Sequence, residues 1–276
     1  MEMWIGDLLA DASPPERPKF RGPLVLVHGL WSGAWCWQRW ASHFCNLGWE
    51  CWAINFRGRF EERPRPALKQ LSFAACVEDV RRIIRSSPFP PVVVAHSLGG
   101  LVAQKAAEAE TISALVLLSC PPPRQLQPAA PRSLRLLRLK YALLMALGRP
   151  FRLEERDFRR LWFSAVPEAE QADLCRRVVP ESVYLIRDFL DRDIDLHSDR
   201  IRCPVLVMGG SEDPLVAVAE LRDLAQWLGG DLKVYPSHGH WMLGENGAEA
   251  IVRDVHRWLV QKLGEEILLV EFPEQE

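Results

Sequence analysis

The chain has 276 residues, 34 basic against 36 acidic, with 48% hydrophobic and 25% charged side chains. This composition excludes a disordered chain and suits one α/β domain carrying an insertion. The near-balance of charge singles out no charged partner, and nucleic acid is not expected. The opening residues carry acids where a secretion signal carries bases, and no run approaches the ~18 apolar residues of a membrane span. Seven cysteines without C-x-x-C spacing read as reduced thiols, so the expected location is cytoplasmic.

In chain order, short apolar runs alternate with longer segments of helical spacing. The pattern predicts strand 24–28, helix 35–47, strand 51–55, helix 73–85, strand 92–95, helix 98–109 and strand 114–119. After an interruption it resumes with strand 205–208, helix 218–228, strand 232–235 and helix 248–263. Continuous apolar strands between helices indicate a mostly parallel sheet covered on both faces. The interruption, 121–202, opens on Pro121-Pro122-Pro123 and shows helical spacing only, over 133–147, 154–165, 168–178 and 181–190. It reads as a helical cap inserted between two parts of one core, 1–120 and 203–276. Its first part is basic, with ten Arg/Lys against three acids from Arg124 to Arg160, and the sign reverses over 181–200. Either a solvated helix face or a docking surface for something acidic fits that pattern. The apolar stretch 267–272 fits an edge strand, a packed tail or a dimer contact.

Four places carry chemistry. In Val92-Val-Val-Ala-His-Ser-Leu-Gly-Gly100 a strand runs into a helix, and Ser97 stands on the turn. Ala95 and Gly99 flank it two residues either side, as a sharp turn that lifts a nucleophile above the sheet edge requires. A plain helix N-cap is the alternative. The helix N-terminus behind it offers unpaired N–H groups where negative charge develops on a substrate oxygen. After the first strand comes His28-Gly29-Leu30-Trp31, where a glycine lets backbone approach a bound oxygen. The amides of Leu30 and Leu98 then form a two-donor oxyanion hole. After strand 205–208, Asp213 and Glu212 are both placed to orient an imidazole, Asp213 the better; an Asx turn is the alternative. After the last strand stand His238 and His240. The order Ser97, Asp213, His is that of a nucleophile, acid and base each carried on a different strand end.

Together these motifs resemble the α/β-hydrolase superfamily, over roughly 23–124 and 201–263, with 121–202 matching the family's variable lid. The family's active histidine stands in a G-H-aromatic context with an acid five residues on, as Gly239-His240-Trp241 with Glu245 does here. The resemblance therefore makes His240 the general base and His238 a neighbour. An H-x-H metal site lacks a third ligand cluster, and no cofactor or metal is expected. Departures exist. Of the family's D-x-R-G-x-G-x-S turn only Arg57-Gly58 survives in Asn55-Phe-Arg-Gly-Arg-Phe60, and the strands expected before Leu24 are short or missing. Gly33-Ala-Trp-Cys-Trp37 is locally similar to plant methylesterases and hydroxynitrile lyases, yet no lysine stands near His240.

The expected function is a serine hydrolase cleaving carboxylic esters through an acyl-enzyme, with Ser97, Asp213 and His240 as its triad and a small-molecule ester as substrate. Trp31, His96 and Trp241 are expected at the substrate; core packing is the alternative for the tryptophans. A second reading is a thioester or methyl-ester hydrolase acting on an acidic acyl carrier at the basic lid, similar to the biotin-pathway carboxylesterase. In a third, the basic amphipathic stretch 133–147 meets a membrane surface. A reading of another class is a non-hydrolytic binding protein on the same fold.

Overall fold

Four strands without a polar face occupy the middle of the protein, and everything else is arranged to cover them. The computed structural model describes residues 1–59, 65–126, 131–191 and 193–269. The four are β3 (Leu24–Val27), β5 (Val92–His96), β6 (Ala114–Leu118) and β7 (Val205–Gly210), buried along their whole lengths. Strands so apolar must be shielded on both faces, which parallel pairing with crossover helices achieves. The chain begins with the antiparallel hairpin β1 (Glu2–Ile5) and β2 (Leu8–Ser13), and β4 (Cys51–Ile54) and β8 (Asp231–Tyr235) complete an eight-stranded sheet in the order β1-β2-β4-β3-β5-β6-β7-β8. From β4 to β8 all pairs are parallel.

The helices of the core are α1 (Gln38–Asn46), α2 (Arg65–Gln70), α3 (Phe73–Ser86) and α4 (Leu98–Ala107). Between β6 and β7 lie α5 (Arg132–Lys140), α6 (Ala142–Ala146), α7 (Glu155–Asp157), α8 (Glu168–Arg177) and α9 (Val183–Asp191). The chain closes with α10 (Val218–Leu228) and α11 (Ala248–Leu263). Ser72 starts α3 by accepting from the Ala75 amide at 3.2 Å, the bond that makes serine a good helix start.

The hairpin before Leu24 is present where short or missing strands were expected. Leu8, Ala10 and Ala12 are buried at alternate positions, and Gly6 turns at φ +63°. Leucine and alanine are helix formers, so the period of two was hidden behind helix-compatible residues. At the other end, the amide of Leu269 donates to Lys19 O at 2.8 Å and that of Arg21 to Ile267 O at 2.9 Å. The described part of the apolar tail is thus strapped to the body beside Phe20; positions 270–272 lie outside the described residues.

The charge asymmetry of the helical segment is partly cancelled within the fold. Arg124 pairs with Asp193 and Asp195, Arg138 with Asp191, Lys140 with Glu154 and Asp157, and Arg159 with Glu155. Such exposed pairs contribute little stability individually, about 0–1 kcal/mol. Their consequence is to bring the basic and acidic stretches together.

Candidate active site

Ser97 sits between β5 and α4 at φ +54° and ψ −128°, a conformation that a non-glycine residue adopts only under constraint. Its amide donates to Leu118 O and its carbonyl accepts from the Gly100 amide, both at 2.9 Å. A Cβ on Gly99 would lie 2.4 Å from His28 O, so no side chain fits there. The same close approach brings the turn after β3, which leads into Leu30, against the start of α4 at Leu98. Neither amide has a hydrogen-bond partner among the described residues.

The His240 imidazole links two other strand ends. Its Nδ1–H donates to Asp213 Oδ2 at 2.8 Å, and its Nε2 accepts from Ser97 Oγ at 2.9 Å. The carboxylate can only accept, so it fixes this tautomer. The Asp213 side chain is buried with it, and its Oδ1 accepts from the amides of Leu215 (2.8 Å) and Val216 (3.1 Å). Glu212 is exposed and does not reach the imidazole. The loop bearing His240 crosses directly over β7, since a Cβ on Gly210 would lie 2.0 Å from His238 O.

The two histidines of the H-x-H pair separate. His238 turns back to donate from Nδ1 to Pro236 O at 2.9 Å, away from Ser97. Glu245 accepts from the Gly239 amide at 2.9 Å; burial pushes its carboxyl up, against that hydrogen bond. The acid five residues past His240 therefore shapes the loop. Among the described residues no three His, Cys, Asp or Glu side chains converge as a metal site.

His96, Trp241 and Trp31 were expected at the substrate. His96 instead donates from Nε2 to His240 O at 2.8 Å. Burial, and His240 after it, lower its pKa to about 3, so it stays neutral. Trp241 packs among Trp35, His96 and Phe163, with ring centroids 5.9, 5.4 and 5.1 Å away. These two brace the histidine loop. Trp35 and Trp37 are likewise packed, Trp37 edge-on to Trp40. Trp31 holds φ +56° and is fully buried, its indole donating to Phe151 O at 3.1 Å. Trp162 stands between it and His240, at 4.9 and 6.1 Å. An aromatic roof from the helical segment thus lies over the imidazole, and Ser97 is 1% exposed.

The supporting roles of four residues, His28, Arg59, Trp162 and Glu181, escaped the sequence reading. His28 donates from Nδ1 to Gly29 O (2.8 Å) and accepts at Nε2 from the Phe56 amide (3.3 Å). Burial first, then the nearby Arg59 cation, lower its pKa to about 3. Glu181 accepts from the Trp31 amide at 2.9 Å and forms a fully buried ion pair with Arg59. Arg59 also donates to Pro180 O at 2.7 Å. The Leu30–Trp31 turn is therefore clamped from the helical segment, the Val179 amide donating to Trp31 O as well. Trp162 had one faint signal, the apolar run Leu161-Trp-Phe163. Glu181 had none, being 150 residues from Trp31.

A family model for the alpha/beta hydrolase family matches residues 24–254. Solved structures share the fold at low identity. The monoacylglycerol lipase of Paleococcus ferrophilus is 20% identical, with TM-score 0.67 over 92% of this chain and 99% of that one. An esterase from Exiguobacterium antarcticum is 17% identical, with TM-score 0.72 over 91% and 95%. MenH from S. aureus is 18% identical, with TM-score 0.71 over 92% and 98%. No curated protein is matched by the sequence.

Proposed function

The chain belongs to the alpha/beta hydrolase family, and from that premise we propose that it is a serine hydrolase cleaving carboxylic esters through an acyl-enzyme. The observation that carries this reading is the unbroken chain Ser97 Oγ, His240 Nε2, His240 Nδ1, Asp213 Oδ2, with links of 2.9 and 2.8 Å. In this mechanism His240 takes the Ser97 proton as Oγ attacks the acyl carbonyl. Asp213 holds the tautomer and stabilises the imidazolium. The Leu30 and Leu98 amides donate to the oxyanion, each worth about 3 kcal/mol in the transition state. The protonated imidazole then releases the alcohol, and His240 activates water to hydrolyse the acyl-enzyme.

The esterase and lipase among its structural neighbours favour the ester class. Segment 121–202 acts as the cap over this site, with Trp162 as its roof. Trp31 and Trp162 are the residues nearest a bound acyl group, and His96 and Trp241 position the base. Seven free thiols support a cytoplasmic location.

The test is initial rates on p-nitrophenyl esters from acetyl to palmitoyl, wild type beside Ser97→Ala. A chain-length optimum that the variant loses by about 10⁴-fold or more supports the reading. Wild-type inactivity on every ester, or a variant as active as wild type, defeats it.

A further inference from the structure

The helical stretch 132–147 carries two apolar faces, and only one is used by the fold. Its backbone continues from α5 to α6, since the Tyr141 amide donates to Leu137 O and the Met145 amide to Tyr141 O, both at 3.0 Å. Leu134, Leu137, Tyr141 and Met145 face inward and are 1–6% exposed. Tyr141 is anchored there by the Glu154 amide, which donates to its hydroxyl at 2.8 Å. Leu136, Leu139, Leu143 and Leu147 share the same 3-4-4 spacing on the outer side, where their exposures are 48, 75, 74 and 59%. That spacing aligns them in one ridge along the helix.

The chemistry around the ridge narrows its occupant. Residues 134–153 contain no Asp, Glu, Asn, Gln, Ser or Thr, so the face offers almost no side-chain acceptor. Protein interfaces carry about one hydrogen bond per 100–200 Å², with donors and acceptors on both sides. Arg132, Arg135 and Arg149 are exposed and have no ion-pair partner among the described residues, unlike Arg138 and Lys140. Projecting leucines bordered by unpaired arginines complement a surface that is apolar in depth and anionic at its rim.

We propose that this face docks on an anionic lipid surface, with the four leucines in the acyl region and Arg132, Arg135 and Arg149 on lipid phosphates. The helix is tied to the active-site edge of the sheet. Ser133 Oγ donates to Pro214 O at 2.8 Å, next to Asp213. A docked molecule therefore presents that edge close to the lipid. The inference goes beyond the ester reading and does not depend on it, because binding is measured without turnover.

The experiment is co-sedimentation of the full chain with vesicles of phosphatidylcholine alone and of equimolar phosphatidylcholine and phosphatidylglycerol. Wild type pellets with the anionic vesicles, far less with the neutral ones, and less at high salt. Leu139→Ser and Leu143→Ser each weaken partitioning on the order of 10-fold. Arg132→Gln and Arg149→Gln each weaken it about fivefold on anionic vesicles only. All four melt as wild type does, because the replaced side chains are exposed. Wild type that pellets with neither vesicle overturns the proposal, as it would if an acidic protein were the partner. Pelleting that the leucine variants leave unchanged also overturns it. So does a dimer in light scattering that Leu139→Ser dissolves, which would assign the ridge to a second copy of the chain.

Discussion

Glu181→Gln tests whether the helical segment holds the Leu30–Trp31 turn. The carboxylate and its partner Arg59 are each 1% exposed at the side chain, and the same carboxylate accepts from the Trp31 and Ser182 amides at 2.9 and 2.7 Å. Glutamine removes the charge and places a donor NH₂ against groups that themselves donate. Arg59 is left as a buried cation without its counter-charge, a loss of about 3–5 kcal/mol. For a chain of this size that lowers the melting temperature by about 10 °C. Trp31 also keeps its φ of +56° only while the clamp holds, and such a conformation costs about 1–3 kcal/mol. Its release displaces the neighbouring Leu30 amide, so kcat on the best ester falls by about 10²-fold while KM changes little. The double variant Arg59→Met with Glu181→Leu separates the two effects. It regains most of the stability, since apolar replacements of buried pairs are often neutral. It does not regain kcat, since the Trp31 amide still lacks its acceptor. Urea unfolding and steady-state kinetics on the three proteins decide the matter. A single variant within about 1 kcal/mol of wild type and equal to it in kcat refutes the clamp.

Asp213→Asn leaves the packing in place and favours the wrong imidazole tautomer, so kcat drops about 10⁴-fold with KM nearly unchanged; a loss under about tenfold removes Asp213 from the reaction. The buried histidines make a second forecast. His28 and His96 keep pKa values of about 3 when folded against about 6.5 when unfolded, so only the unfolded chain takes up their protons. Their contribution is complete above pH ~6.5 and declines as pH falls towards 3, by about 2 kcal/mol each at pH 5. Glu245, raised by burial, acts in the opposite direction and softens the decline. Urea midpoints at pH 8 and 5 measure the net effect, and His96→Gln reduces the pH dependence. A pH dependence that His96→Gln leaves unchanged would show that the His96 ring is not held neutral in the folded protein.

The sequence carried the core at close to residue accuracy because strands and helices are local periodicities. The strand predicted at 92–95 is β5 (Val92–His96), and the helix at 248–263 is α11. The hairpin before Leu24 escaped because alternation in Leu8-Leu-Ala-Asp-Ala-Ser13 is written in helix-forming residues, and pairing with β4 overrides that propensity. At the site, Ser97, Asp213 and His240 were legible because each stands on a strand end with a recognisable turn, and the fold gathers those ends along one edge.

What the sequence alone determined, then, is the alternation of elements, the strained serine turn with its small neighbours, and the chain order of nucleophile, acid and base. Each is a restriction on neighbouring residues, imposed by backbone sterics or by helix and strand period. The tertiary structure alone decided that His238 turns back to its own loop and that His96 and Trp241 brace the loop of His240. It alone revealed that Glu181 and Trp162 reach across from the helical segment, and which arginines beside the leucine ridge have no ion-pair partner among the described residues. Those are choices of partner between residues far apart in the chain, and no local pattern encodes a partner 150 residues away.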